Sequence, residues 1–217
     1  MKIEIWSDVM CPFCYIGKRK FENALEQFSN KDNIEVEWKS FQLSPQMKTD
    51  ITKNIHQYLS EHKGIGLDKA KALNDQVTQL AAKVGLTYNF DKAIVANSFN
   101  AHRFSHFAKQ HGKQNEAEEK LFYAYFTDGK NTDDYTTLIQ LGKEIGLNPD
   151  DLKKALEDGA YGKDVVADVT EAREIGVSGV PFFVFNRKYA VSGAQESAMF
   201  LQALEQSFAE YNKTLLS

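Results

Sequence analysis

Cysteine is scarce: the 217 residues hold only Cys11 and Cys14. One pair cannot make a disulfide framework for a chain of this length. Proline (4 residues) and glycine (13 residues) are too sparse for a collagen-like repeat, and no low-complexity linker or internal repeat is visible. No apolar run approaches the roughly 18 residues of a transmembrane helix. The N-terminus lacks a basic stretch followed by an apolar one, so no export signal is expected and the reading is cytoplasmic. An excess of one charge is missing too. Lys and Arg total 26 against 30 Asp and Glu, a formal net charge of −4. That balance gives no electrostatic footprint for nucleic acid or an anionic membrane. What remains is ordinary globular material, 42% hydrophobic and 26% charged, long enough to bury its own core.

Hydrophobic periodicity divides the chain. Residues 2–7 alternate as a strand, Tyr15 to Phe28 has helical spacing, and 33–43 alternate again. The crossover between these strands is long enough for a parallel pair. From Ser44 only helices are expected, over 66–84, 91–111, 115–126, 134–145, from Asn148, and 162–175. Asn148-Pro149-Asp150-Asp151 has an N-cap, a first-turn proline and two acids at the positive end of the helix dipole. Strands return at 181–185 and 189–191, with a turn at Asn186-Arg187-Lys188, and a last helix spans about 195–211. The fold class is α/β. Residues 1–44 and 161–217 form a discontinuous domain, and 45–160 form an all-helical insertion.

The chemistry lies at Cys11-Pro12-Phe13-Cys14, between a strand and a helix. In a reducing compartment such a pair points to redox catalysis or metal binding. Cys11 falls at the helix N-terminus, where orphan N–H groups and the dipole favour a thiolate; Pro12 is tolerated in the first turn. Cys14 lies one turn inside and more buried. Cys11 is therefore the expected nucleophile and Cys14 the resolving thiol. A zinc site needs four ligands, and there is no second cysteine pair. His102 and His106 share a helical face and could add two ligands, but nothing in their spacing alone shows that they reach the cysteines, so no metal is expected.

Gly176-Val177-Ser178-Gly179-Val180-Pro181, beside such a dithiol, resembles the thioredoxin superfamily and its cis-proline before the third strand. A cis Val180–Pro181 bond is expected. The closer resemblance is to the DsbA-like family, in its cytoplasmic FrnE-like branch. It is carried by SDVMCPFCYIGK at 7–18, NSFNAHR at 97–103 and GVSGVPFFVFNRKYAVSGAQ at 176–195. The resemblance implies a thioredoxin-like fold with an inserted helical domain, and thiol–disulfide oxidoreductase or isomerase activity. Its partners would be protein thiols and disulfides or low-molecular-weight thiols. No bound cofactor is required, and glutathione is a candidate co-substrate. Exported DsbA enzymes typically carry histidine where this chain has Phe13. Without it, a potential of about −200 to −230 mV is expected rather than about −120 mV.

The resemblance also places Asn97, His102 and Arg103 over the dithiol; the alternative is the polar face of an amphipathic helix. Gly193, Ala194 and Gln195 start the last helix in this reading. Their N–H groups either hold a carboxylate, as the corner that takes the glutamyl end in glutathione-binding relatives, or simply begin a helix. Lys18-Arg19-Lys20 and the acidic stretch 115–120 read as solvated faces. Phe122, Tyr123, Tyr125 and Phe126 read mostly as core. Two other functions share the split fold: a glutathione-dependent isomerase or transferase of the 2-hydroxychromene-2-carboxylate isomerase or kappa type, and a non-catalytic adaptor. The first usually carries serine at the Cys11 position, so retention of both cysteines argues against it. Nothing in the pattern marks a dimer face.

Overall fold

The computed structural model describes residues 1–215. In chain order the elements are β1 (Lys2–Ser7), α1 (Pro12–Gln27), β2 (Glu35–Ser40), β3 (Asp50–Asn54), α2 (Ile55–Lys63) and α3 (Leu67–Ala82). Then come β4 (Ile94–Val95), α4 (Phe99–Gln110), α5 (Gln114–Phe126), α6 (Tyr135–Glu144), α7 (Pro149–Glu157) and α8 (Gly162–Glu174). The chain closes with β5 (Phe182–Phe185), β6 (Tyr189–Ser192) and α9 (Ser197–Leu215).

Among the described residues, β2-β1-β5-β6 form a mixed sheet, with β1 parallel to β2 and antiparallel to β5. Alternation along β1 sorts its two faces. Ile3 and Ile5 lie in one core with Phe21 of α1, Phe183 and Phe185 of β5, and Phe200 of α9. The rings of Phe21, Phe183 and Phe200 meet at 4.6–5.9 Å between centroids. Trp6 faces the other way, packs with Ala172 of α8, Val177 and Val184, and donates its indole N–H to the Asp168 carbonyl at 3.1 Å. Helices therefore cover both faces of the sheet. At the β5–β6 turn, Asn186 and Arg187 both adopt positive φ, the geometry that matches strand twist in a tight hairpin.

The intervening segment is not wholly helical. β3 and β4 pair antiparallel, and the helix expected over 91–111 begins only at Phe99. A local turn and one long-range bond hold the start of this segment out of the helix. The Asn89 carbonyl accepts the Lys92 and Ala93 N–H groups in a turn, and the Ala93 carbonyl accepts the Ile55 N–H. α2, which no periodicity announced, starts with a capping box between Asn54 and Gln57 and ends at Gly64 in the left-handed region.

α1 is clamped from the insertion side by charge. Lys18 is only 2% exposed, so it is no part of a solvated face. Its ammonium pairs with Glu22 and, at 2.9 Å, with Glu119 of α5. Arg19 binds both Glu119 oxygens, and the Tyr15 hydroxyl donates to the same carboxylate at 2.6 Å. The acidic stretch divides: Asn115 and Glu116 are exposed, whereas Glu118 is buried and Glu119 partly so. Burial raises the Glu119 carboxyl, but Arg19, Lys18 and Tyr15 outweigh it and pull it down to about 2. A lowered folded-state value adds stability above the unfolded value, near 4.3, which is lost as pH falls. The stability gap between wild type and Glu119→Gln should thus be widest above about pH 5 and close toward pH 2. Urea unfolding across that range checks it; a gap that does not change with pH contradicts the clamp.

Candidate functional site

The site forms where β1 ends and α1 begins. Cys11 is the N-cap of α1 and Pro12 its first residue. The Asp8 carbonyl accepts the Cys11 N–H at 2.9 Å, and the Cys11 carbonyl accepts the Cys14 N–H at 3.0 Å. Both cysteines are free thiols. Cys11 is 5% exposed and Cys14 is sealed at 0%. The Cys11 thiol points at the Val180 carbonyl, 3.5 Å away, and the Val180–Pro181 bond is cis, as expected. The Tyr88 hydroxyl donates to the Pro12 carbonyl at 2.6 Å. Burial, then the neighbouring cysteines, push that hydroxyl well above the ordinary tyrosine range.

Burial pushes the Cys14 thiol up strongly, and the Cys11 sulfur beside it, as hydrogen-bond partner and as charge, pushes further. The Ser7 hydroxyl and the Asp8 N–H act the other way. The Ser7 hydroxyl is buried and has no aligned oxygen or nitrogen partner. An apolar groove of about 460 Å³ opens at Cys11, between the start of α1 and the α2–α3 pair. Met10, Phe13, Tyr58, Leu73 and Val77 line it, with Lys63 the one cation among the described residues there. Phe13 is 41% exposed at the rim.

The candidates from NSFNAHR separate. His102 is buried and its Nε2 lies 3.5 Å from Asp8 Oδ1, next to the dithiol turn. Arg103 is also buried, but turned away. It donates to the carbonyls of Ala155 and Leu156 in the last turn of α7, to that of Ala160 just beyond it, and to the Tyr135 hydroxyl. Neither residue forms a solvated face. Asn97 lies in the connection before α4, holding the Met47 carbonyl at 2.6 Å and accepting the Phe99 N–H at 2.8 Å. Asn97 and Arg103 organise loops, and the structure does not bring them to the sulfurs. His106 contacts Ser40 and Asp168, each at 3.1 Å. Among the described residues no group of three or more His, Cys, Asp and Glu side chains is placed to hold a metal ion.

Gly193, Ala194 and Gln195 precede α9 rather than start it. The Gly193 N–H donates to the Pro181 carbonyl at 2.8 Å and the Gln195 N–H to the Gly193 carbonyl at 3.0 Å. Those two donors are spent inside the protein, which leaves the corner fewer N–H groups to offer an anion. Asp8, Ser7 and Tyr88 went unassigned in the sequence. Asp8 lies within the SDVMC stretch, where a buried acid before the first cysteine was a usable signal; Tyr88 had none.

Residues 2–205 match the DSBA-like thioredoxin domain. The chain belongs to that family. YwbO of Bacillus subtilis, an uncharacterized protein, is 30% identical over 209 residues, spanning 93% of this chain and 94% of YwbO. A probable DsbA oxidoreductase of Streptomyces coelicolor, SCO1869, superposes with a TM-score of 0.91 at 37% identity, covering 97% of this chain and 91% of that one. The cytosolic disulfide reductase DsbM of Pseudomonas aeruginosa shares the fold, with a TM-score of 0.65 at 16% identity and coverage of 99% and 98%. The general class is that of thiol–disulfide oxidoreductases. Among the described residues no helix is long and apolar enough to cross a membrane.

In this DSBA-like chain α1 reaches the Pro181 loop because Gly17 carries no side chain. A Cβ there would lie 2.9 Å from Pro181 Cγ and 3.4 Å from Phe183 Cζ. Gly17→Val is expected to destabilise by about 1–3 kcal/mol through overpacking, despite valine's better helix propensity. Chemical denaturation measures it, and an unchanged midpoint contradicts this packing.

Proposed function

We propose that this protein is a cytoplasmic thiol–disulfide oxidoreductase whose working couple is Cys11 and Cys14. The observation that carries the reading is the asymmetry of the two sulfurs. One meets an apolar groove at a helix N-terminus; the other is sealed behind it with a raised pKa.

The Cys11 thiolate attacks a substrate disulfide. A Cys11–substrate bond forms, the substrate S–S bond breaks, and one substrate sulfur leaves and takes a proton. Part of what holds Cys14 protonated is the Cys11 sulfur itself. Once Cys11 is bound in the mixed disulfide, that influence falls away. The Ser7 hydroxyl and Asp8 N–H, which favour the Cys14 thiolate, remain. Cys14 then loses its proton and attacks Cys11 Sγ, and the second substrate sulfur leaves and is protonated. Two electrons have moved to the substrate, and the reverse sequence oxidises it. The groove suits a protein or small-molecule disulfide with an apolar portion near the sulfur. DsbM has been solved with glutathione, which supports glutathione as a candidate co-substrate here. The Cys11 groove is the entry we assign to glutathione, since the Gly193 and Gln195 amides are occupied.

Cys11→Ser should lower turnover of a small aromatic disulfide by about 10³-fold or more. Cys14→Ser should still attack, then stop as a stable mixed disulfide visible by intact mass. Phe13 offers the Cys11 sulfur no N–H and no charge, so the couple is expected at about −200 to −230 mV. Turnover that survives Cys11→Ser refutes the assignment, and a potential near −120 mV refutes the role given to Phe13.

A further inference from the structure

The mechanism uses nothing beyond Asp8, yet a sealed group of ionisable side chains stands behind it. Asp8 is 0% exposed. Its Oδ2 accepts the Leu43 N–H at 2.7 Å, and its Oδ1 lies 3.4 Å from the Met10 N–H and 3.5 Å from His102 Nε2. That His102 nitrogen is buried with no aligned hydrogen-bond partner, so its contact with Asp8 is one of charge and proximity. On the far side lies Glu118 of α5, also buried. Its Oε1 accepts the Ser105 hydroxyl at 2.6 Å and its Oε2 has no partner. His106, one turn along α4, and Lys18 of α1 also face Glu118. The Phe41 carbonyl faces His102, and the buried Tyr125 hydroxyl, without a partner, faces Asp8. The backbone of Asp8 meanwhile supports the dithiol. Its carbonyl takes the Cys11 N–H, and its N–H favours the Cys14 thiolate.

We propose that His102, through Asp8, sets the redox poise of the Cys11–Cys14 couple as a positioning residue: its imidazolium offsets the Asp8 carboxylate that lies against the dithiol turn. This rests on the oxidoreductase reading. The pair exchanges no electron and forms no bond in the cycle; it acts as a fixed charge. An uncompensated carboxylate in a dry site disfavours a nearby thiolate, and so disfavours the reduced state. A positive partner cancels that effect. Burial pulls the His102 imidazolium down, but Asp8, Glu118 and the Phe41 carbonyl together leave it above the ordinary histidine value. The imidazolium form of His102 is therefore favoured beyond that of an ordinary histidine.

The test equilibrates wild type, Asp8→Asn, His102→Gln and the double variant in reduced and oxidised glutathione at pH 7. The products are trapped by alkylation and read by mass. His102→Gln should move the equilibrium toward the disulfide by about fivefold or more, and Asp8→Asn should move it toward the dithiol. The double variant should fall between the two single variants, because it removes both opposing charges. If His102→Gln does not fold, as judged by circular dichroism, pH carries the test. Wild type should shift toward disulfide relative to Asp8→Asn as pH rises through the His102 titration. Equilibria within twofold of one another, single variants that shift the same way, or no pH divergence overturn the proposal. A wild-type protein that forms no Cys11–Cys14 bridge overturns the oxidoreductase reading, and this one with it.

Discussion

The first turn of α1 must leave β1 at an angle that opens one sulfur to the groove and seals the other, and the rest of the structure serves that placement. The Cys11 N–H is tied to the Asp8 carbonyl, and Cys11 Sγ meets the Val180 carbonyl. The absence of a side chain at Gly17 lets α1 settle against Pro181. A shift of a few tenths of an ångström at any of these points alters how the two thiols face each other. Disulfide chemistry tolerates little of that, because the bridge demands a narrow range of separation and dihedral angle.

The insertion is part of this machinery. Through α5 it supplies Glu119, which gathers Tyr15, Lys18 and Arg19 on one side of α1. Through α4 it supplies His102, which reaches Asp8. Through α2 and α3 it supplies the apolar wall of the groove. The sheet side holds the dithiol helix in place, and the insertion shapes what reaches the sulfurs and the charge behind them.

Much of this was legible in the sequence because local and tertiary demands agree there. The dense apolar run of β5 reads as a buried strand because Phe183 and Phe185 face α1 while Val184 packs with Trp6 on the opposite side. Asn148 caps α7 as its motif implies, accepting from Asp150 and Asp151 N–H groups. Where the reading failed, distant residues decided. Lys18 looks like one of three surface cations until Glu119, 101 positions away, draws it inside. Arg103 looks like a polar helix face until the end of α7, more than 50 positions on, offers it carbonyls. Residues 91–98 read as helix because nothing local shows that Ile94 and Val95 pair with β3. At the Gly193–Gln195 corner, two of the N–H groups expected to be free, those of Gly193 and Gln195, turn to internal carbonyls.

The central claim is that attack begins at Cys11 and is resolved by Cys14. Rapid mixing of the reduced protein with a small glutathione-type disulfide, followed by acid quench and peptide mass mapping, tests it most directly. The account predicts an early adduct on Cys11 alone, replaced by an internal Cys11–Cys14 bridge as the second thiol is released. An adduct that forms first on Cys14, or one on Cys11 that persists without an internal bridge, would contradict it.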